Sequence, residues 1–292
     1  MSRTRWLIVR EPAAAIWLAA CVAIAAQGQE PAEEKKSDTE QKREEAWMKV
    51  FSTHAKDYQI CPAGKPEKPF TFVPNPVFRH DAPSRNSDDV GGVWVWTDED
   101  GRPVVIGTVF GWTSGENTRS VLHEFHTLST EPIEAVWRDR DVWTPQEGVE
   151  FKPVPDAPVP DASAARRRLQ MRQIARRFSA HTIDHRGQRW QLRLVSRPVY
   201  EWDSEDSDER LGGAVFVICQ DTNTDVVVYI EARKTKDGAE YAYACGSFAD
   251  WEAHAELDGQ EVWVAGSSRE ASRNSRSPHW VRLVPPERLP NN

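Results

Sequence analysis

Residues 76–143 contain, in order, PVFRHD (76–81), VGGVWVW (90–96) and AVWRDRDVW (135–143). Residues 198–263 contain PVYEWD (198–203), LGGAVFV (211–217) and AELDGQEVW (255–263). Pro76 maps to Pro198, Gly91–Gly92 to Gly212–Gly213 and Trp143 to Trp263, with one residue lost at each intervening loop. Ordered landmarks at near-constant spacing mark an internal duplication. Residues alike in both copies then belong to the framework, and residues that differ are candidates for function.

Each copy reads as antiparallel β structure. Gly91–Gly92 opens the run VWVW, Thr97 to Gly101 is a turn signal, and Val104 to Phe110 is the return strand. Strands are expected at 119–128, 133–137 and 141–144. In the second copy they are expected at 190–201, 211–220, 225–232, 239–247, 252–257 and 260–264. One such unit would leave open sheet edges, so the two are expected to share one core. The fold class is mainly β with two helices: duplicated antiparallel units in a barrel-like arrangement or a two-layer sandwich, with pseudo-twofold symmetry.

The domain is expected over 47–265, with repeats at 76–144 and 190–264. They are joined by the Pro-rich strap FKPVPDAPVP (151–160) and a helix running to about residue 180. Met171, Ile174, Ala175 and Phe178 form the apolar stripe of that helix, and Leu169 falls off it. A first helix, from about Thr39 to Gln59, carries Trp47, Val50, Phe51, His54 and Tyr58 at helical spacing. Residues 27–46 read as a charged tether, and 266–292 as a loose tail with a dock at Trp280–Leu283.

The first 26 residues read as a secretory signal peptide: Arg3, Arg5 and Arg10, a short apolar run, then Ala23-Ile24-Ala25. The alternative is a lipobox, Leu18 to Cys21, leaving a lipid anchor on Cys21. No later stretch is long and apolar enough to span a membrane. Three cysteines then remain, Cys61, Cys219 and Cys245. If their strands form a meander, Cys219 and Cys245 lie about 9–10 Å apart, too far for a disulfide. A net charge of −8 argues against a nucleic-acid partner.

Candidate site residues come from the first copy. His123-Glu124-Phe125-His126 holds two imidazoles and a carboxylate, the ligand chemistry of a divalent metal. On a strand, His123 and His126 face opposite sides, whereas Glu124 and His126 share one. The second copy has Tyr243, Ala244 and Gly246 there. His80 and Asp81 are the expected helpers. Trp112, read as a loop residue, and Arg102, after the Thr97–Gly101 turn, are the candidate binding residues. Trp94 and Trp96 are read as core, because Val215 and Val217 stand at the matching places. The carboxylates Asp203, Glu205, Asp206, Asp208 and Glu209, and the arginines of the 163–180 helix, are read as solvated or mutually paired.

The stretches GGVWVWTDEDGRPVV, LHEFHTLS and the segment from VWTPQEG to ARRF (142–178) resemble those of a family of exported bacterial proteins of unknown function. The resemblance implies export and carries no activity with it. The expected function is a non-enzymatic periplasmic or extracellular module. It would bind a small molecule, a glycan or an envelope protein in the cleft between the repeats. The alternative is a metal-assisted hydrolase built on His123, Glu124 and His126, with His80 or Asp81.

Overall fold

The structure, a computed structural model, describes residues 37–81, 88–204, 207, 209–249, 251–267 and 273–290. The first repeat runs α1 (Asp38–Lys56), β1 (Tyr58–Pro62), β2 (Thr71–Phe72), β3 (Phe78–Asp81), β4 (Val90–Thr97), β5 (Pro103–Gly115), β6 (Thr118–Thr127), β7 (Ile133–Trp137) and β8 (Arg140–Trp143). After β9 (Lys152–Pro153), the second runs α2 (Ala164–Ala175), β10 (Phe178–Ile183), β11 (Arg189–Gln191), β12 (Arg193–Leu194), β13 (Tyr200–Asp203), β14 (Arg210–Gln220), β15 (Asn223–Thr235), β16 (Gly238–Ser247), β17 (Glu252–Leu257) and β18 (Gln260–Ala265). A last strand, β19 (His279–Arg288), follows. The fold is mainly β with two helices, in antiparallel sheets that match across the duplication.

The duplication begins at the helix. In each repeat a helix leads into a strand that pairs with the later hairpin, giving the sheets β1-β7-β8 and β11-β10-β17-β18. The long meanders β4-β5-β6 and β14-β15-β16 form the two larger sheets. Helix α2 is therefore the counterpart of α1, besides linking the copies. Both helices are shorter than their periodicity predicts. Tyr58 and Phe178 keep helical spacing with the stripe, but they open β1 and β10, where strand pairing takes over. The expected strand 190–201 is three short ones: at Leu192 the chain passes from the sheet of β10 to that of β14, and the second break falls around Pro198, which has no N–H for the ladder.

The chain after each repeat crosses to the sheet of the other. KPVP (152–155) includes β9, which pairs with β16; RLVP (282–285) lies in β19, which pairs with β6. This reciprocal exchange is the pseudo-twofold relation in its plainest form. The dock expected at Trp280–Leu283 is part of a longer strand, which corrects the reading of the rest of 279–288 as loose. Trp280 and Val284 face the core while the backbone covers the edge of β6, so ordering this segment closes an otherwise open strand.

Three cores result. Trp94, Trp96 and Phe125 on the outer face of the first large sheet pack against Trp47 and Phe51 of α1 and against Trp137 and Trp143. The rings fit because glycines lie beneath them: a Cβ on Gly92 would stand 2.7 Å from Trp94, and one on Gly107 would overlap the Phe125 ring. The second repeat has the same outer core around Phe216, Ile218, Met171 and Phe178. Between the two large sheets lie Val93, Val95, Ile106, Val215, Val227, Tyr229 and Phe248. Sheets buried on both faces explain the near-continuous apolar runs.

The central core also corrects one alignment. Trp94 and Trp96 are core residues, as expected, but Val215 and Val217 are not their counterparts. Val215 faces the central core with Val93, whereas Phe216 and Ile218 occupy the outer core as the two indoles do. The strand pairings put Val215 opposite Tyr200 as Val93 is opposite Phe78, so Gly91 matches Gly213 rather than Gly212, and a one-residue slip turns every side chain to the other face.

Candidate ligand cavity

Strand β6 divides its histidines as the alternation predicts. His123 faces the outer core in a buried hydrogen-bonded chain. Glu287 Oε1 accepts from His54 Nε2 at 2.9 Å, His54 Nδ1 accepts from His123 Nε2 at 2.9 Å, and His123 Nδ1 accepts from Tyr58 at 2.7 Å. The carboxylate sets this direction, because it can only accept. Burial, with His54, Arg282 and Arg138 nearby, drives the His123 imidazole well below its ordinary value.

Glu124 and His126 face the other way. Glu124 Oε1 accepts from His279 Nε2 at 2.7 Å. His126 Nδ1 donates to the Thr127 carbonyl at 2.7 Å. The expected metal cluster is thus split across two faces of one strand. Among the described residues, no three His, Cys, Asp or Glu side chains converge on a metal-binding point. His80 and Asp81 pair through their backbones with Gly91 and Val90; their side chains lie outside the described part.

The two expected binding residues also land elsewhere. Trp112 lies on β5, paired with Ser120 and half-buried over a groove with Phe110, Leu122 and Leu283. Arg102 is buried: its Nε donates to Glu231 Oε1 at 2.6 Å, and its guanidinium lies 5.6 Å from the Tyr229 ring centroid. Its charge therefore serves the junction between the repeats. The helix arginines pair as expected, Arg168 with Asp203 and Arg172 with Glu201. Glu205, Asp206 and Asp208 of the acidic loop lie outside the described residues, as do residues 1–26 and Cys21.

Comparison of the two halves locates a cavity. In the first, Trp143 stacks on Trp280 at 6.2 Å between centroids, and Phe125 lies 5.9 Å from Trp143. The Trp143 indole donates to the Ser277 carbonyl at 2.8 Å. In the second half, Trp263 holds the place of Trp143, and Cys245 that of Phe125. Continuing the β9 register, in which Tyr243 pairs with Lys152, puts Glu150 opposite Cys245, as Trp280 is opposite Phe125. Two large rings are replaced by a thiol and an exposed carboxylate. The space left is a cavity of about 340 Å³, lined by Tyr243, Cys245, Trp263, Glu150 and Lys152, and closed from the first repeat by His126 and His279. That volume lies at the lower end of small-molecule sites.

The deep wall carries little charge. Burial, helped by His279, pulls the His126 imidazole down to about 3, so it is neutral. Burial pushes the Cys245 thiol up to about 12. Burial first, then Cys245 and Glu150, raise the Tyr243 phenol. With Nδ1–H committed to Thr127, His126 Nε2 is left as a lone-pair acceptor on a ring that lines the cavity. The ring lies flat on Gly246, where a Cβ would stand 3.0 Å away. At the rim, Lys152 Nζ donates to the Val262 carbonyl at 3.3 Å.

Sequence reading placed His126 in the candidate set but missed Tyr243, Cys245, Trp263 and Glu150. The signal was present in the copies themselves, as Cys245 against Phe125. Pairing Glu150 with Trp280 required the strand exchange. Compared with protein-family models, curated proteins and solved structures, the chain matches none.

Proposed function

We propose that this protein is an exported, non-enzymatic binding module that holds a small ligand in the cavity between its repeats. One observation carries the reading: the second repeat keeps Trp263 but lacks both rings that fill the equivalent space in the first. Clefts of similar volume occur elsewhere among the described residues, so it is the missing rings and not the volume that carry the reading. The hydrolase alternative is less favoured because its ligand set is divided between two faces of β6. Export is supported by the character of residues 1–26 and by the family resemblance. Among the described residues, no helix is long and apolar enough to cross a membrane.

The test is binding of 2-naphthol, a neutral aromatic probe, followed by its fluorescence. Saturable binding to the protein is expected, and its loss in a Cys245→Phe/Glu150→Trp variant that rebuilds the packing of the first half. Equal binding to both proteins, or to neither, would refute the reading. Mass analysis of the exported chain addresses the compartment: a start at Ala26 or Gln27 is expected, whereas a lipidated Cys21 would make it an anchored protein.

A further inference from the structure

Resting on the cavity reading above, we infer that the ligand is a neutral polyhydroxylated ring, a hexose-like sugar unit. The deep end decides the charge. His126 and Tyr243 are uncharged there, and the Cys245 thiol is protonated. An ionic head group would lose its hydration without gaining a buried counter-ion. The same wall decides the hydrogen bonding. His126 Nε2 can only accept, because Nδ1–H is held by the Thr127 carbonyl, and the residue, only 5% exposed, lines the cavity. It calls for an O–H or N–H donor. The Tyr243 hydroxyl, the Glu150 carboxylate and the remaining Lys152 donors add both acceptor and donor positions around the Trp263 indole. A ring with hydroxyls on its edge and C–H groups on its faces meets that mixture. An extended peptide fits less well. It would have to add to the free edge of β18, where the Val262 carbonyl is already taken by Lys152.

The experiment is calorimetric titration of the protein with glucose, galactose and N-acetylglucosamine, their β-linked disaccharides, and glucuronic acid, beside 2-naphthol. At least one neutral sugar is expected to bind saturably. Affinity should fall at least tenfold in His126→Phe and in Tyr243→Phe. The second variant keeps the Thr127 carbonyl paired if the first does not fold. Tighter binding of a disaccharide than of its monosaccharide would identify the end of a glycan as the source; equal binding would identify a free sugar. Both outcomes support the inference. Binding of 2-naphthol but of no neutral sugar would overturn the sugar assignment and leave the cavity reading standing. Preference for glucuronic acid would overturn the neutral-ligand argument. Failure of the sugars and of 2-naphthol together would overturn both.

Discussion

His126 is set by its surroundings more than by its own chemistry. The Thr127 carbonyl fixes its tautomer, Gly246 leaves room for its ring, and burial keeps it neutral. A depressed imidazole has a defined pH signature. The unfolded chain takes up protons near 6.5, whereas folded His126 does so only near 3. Its contribution to stability is therefore complete above pH 6.5. As pH falls toward 3, that contribution is lost at about 1.4 kcal/mol per pH unit. His54, His123 and His181 act in the same direction. His254 acts in the opposite one: burial lowers it, but Glu261 and Glu252 outweigh burial, so its contribution fades as pH rises through the raised value. Urea midpoints measured from pH 7.5 to pH 4 should fall with acid, and His126→Gln should show a slope smaller by one proton. An unchanged slope would contradict the assignment. The His123 chain is tested separately. His123→Phe strands the Tyr58 hydroxyl and His54 Nδ1, at about 1–3 kcal/mol each, readable as a lower urea midpoint.

Strand β19 is the element whose behaviour differs most from its composition. Serines, arginines and prolines surround it, yet Trp280 and Val284 seat it on β6 and complete the outer core. Trp280 also covers Trp143, 4% and 0% exposed respectively. Trp280→Ala should therefore destabilise the whole domain by about 3–5 kcal/mol, the range for a large aromatic truncated in a core. Leu283→Ala, at a position 62% exposed on the same strand, should change stability by about 0.5 kcal/mol or less. Equal effects from the two, in calorimetry, would mean that β19 does not dock as described.

For the whole molecule, the question is what binds the two repeats together. The central core is apolar, but it contains one buried ionic junction. Glu231, fully buried, accepts from Arg102 across the repeat boundary and from Arg233 beside it. Burial alone would push its carboxyl up, yet Arg102 and Arg233 outweigh burial and hold it below the usual carboxylate range. Tyr200 adds a second bond across the boundary, to the Gly101 carbonyl at 3.1 Å. Arg102→Met should cost about 3–5 kcal/mol, because Glu231 loses its partner from the other repeat; Arg102→Met with Glu231→Leu should recover part of that loss. A double-mutant cycle by urea unfolding measures the coupling. Additive losses would show that the pair is not a unit.

The sequence by itself determined the duplication, the strand content and the face of β6 on which each histidine lies, because a period of two and a repeated order of landmarks are local properties of the chain. It also determined that Trp94 and Trp96 are core, although matching the two Gly-Gly pairs sets the second copy one residue off, because only strand pairing fixes which residues share a face. Helix ends were overrun at Tyr58 and Phe178, since helical spacing and strand pairing accept the same residues there. Tertiary structure alone decided the strand exchange, the burial of Arg102 against Glu231, and the pairing of β19 with β6, of which the sequence offered only a dock at Trp280–Leu283. Each joins residues that lie far apart in the chain, Pro153 with Ala242 being the nearest pair, and no periodicity reaches that far. The cavity belongs to the same class. Cys245 and Glu150 are unremarkable in the chain; they define a site only where their counterparts, Phe125 and Trp280, show how the same space is filled.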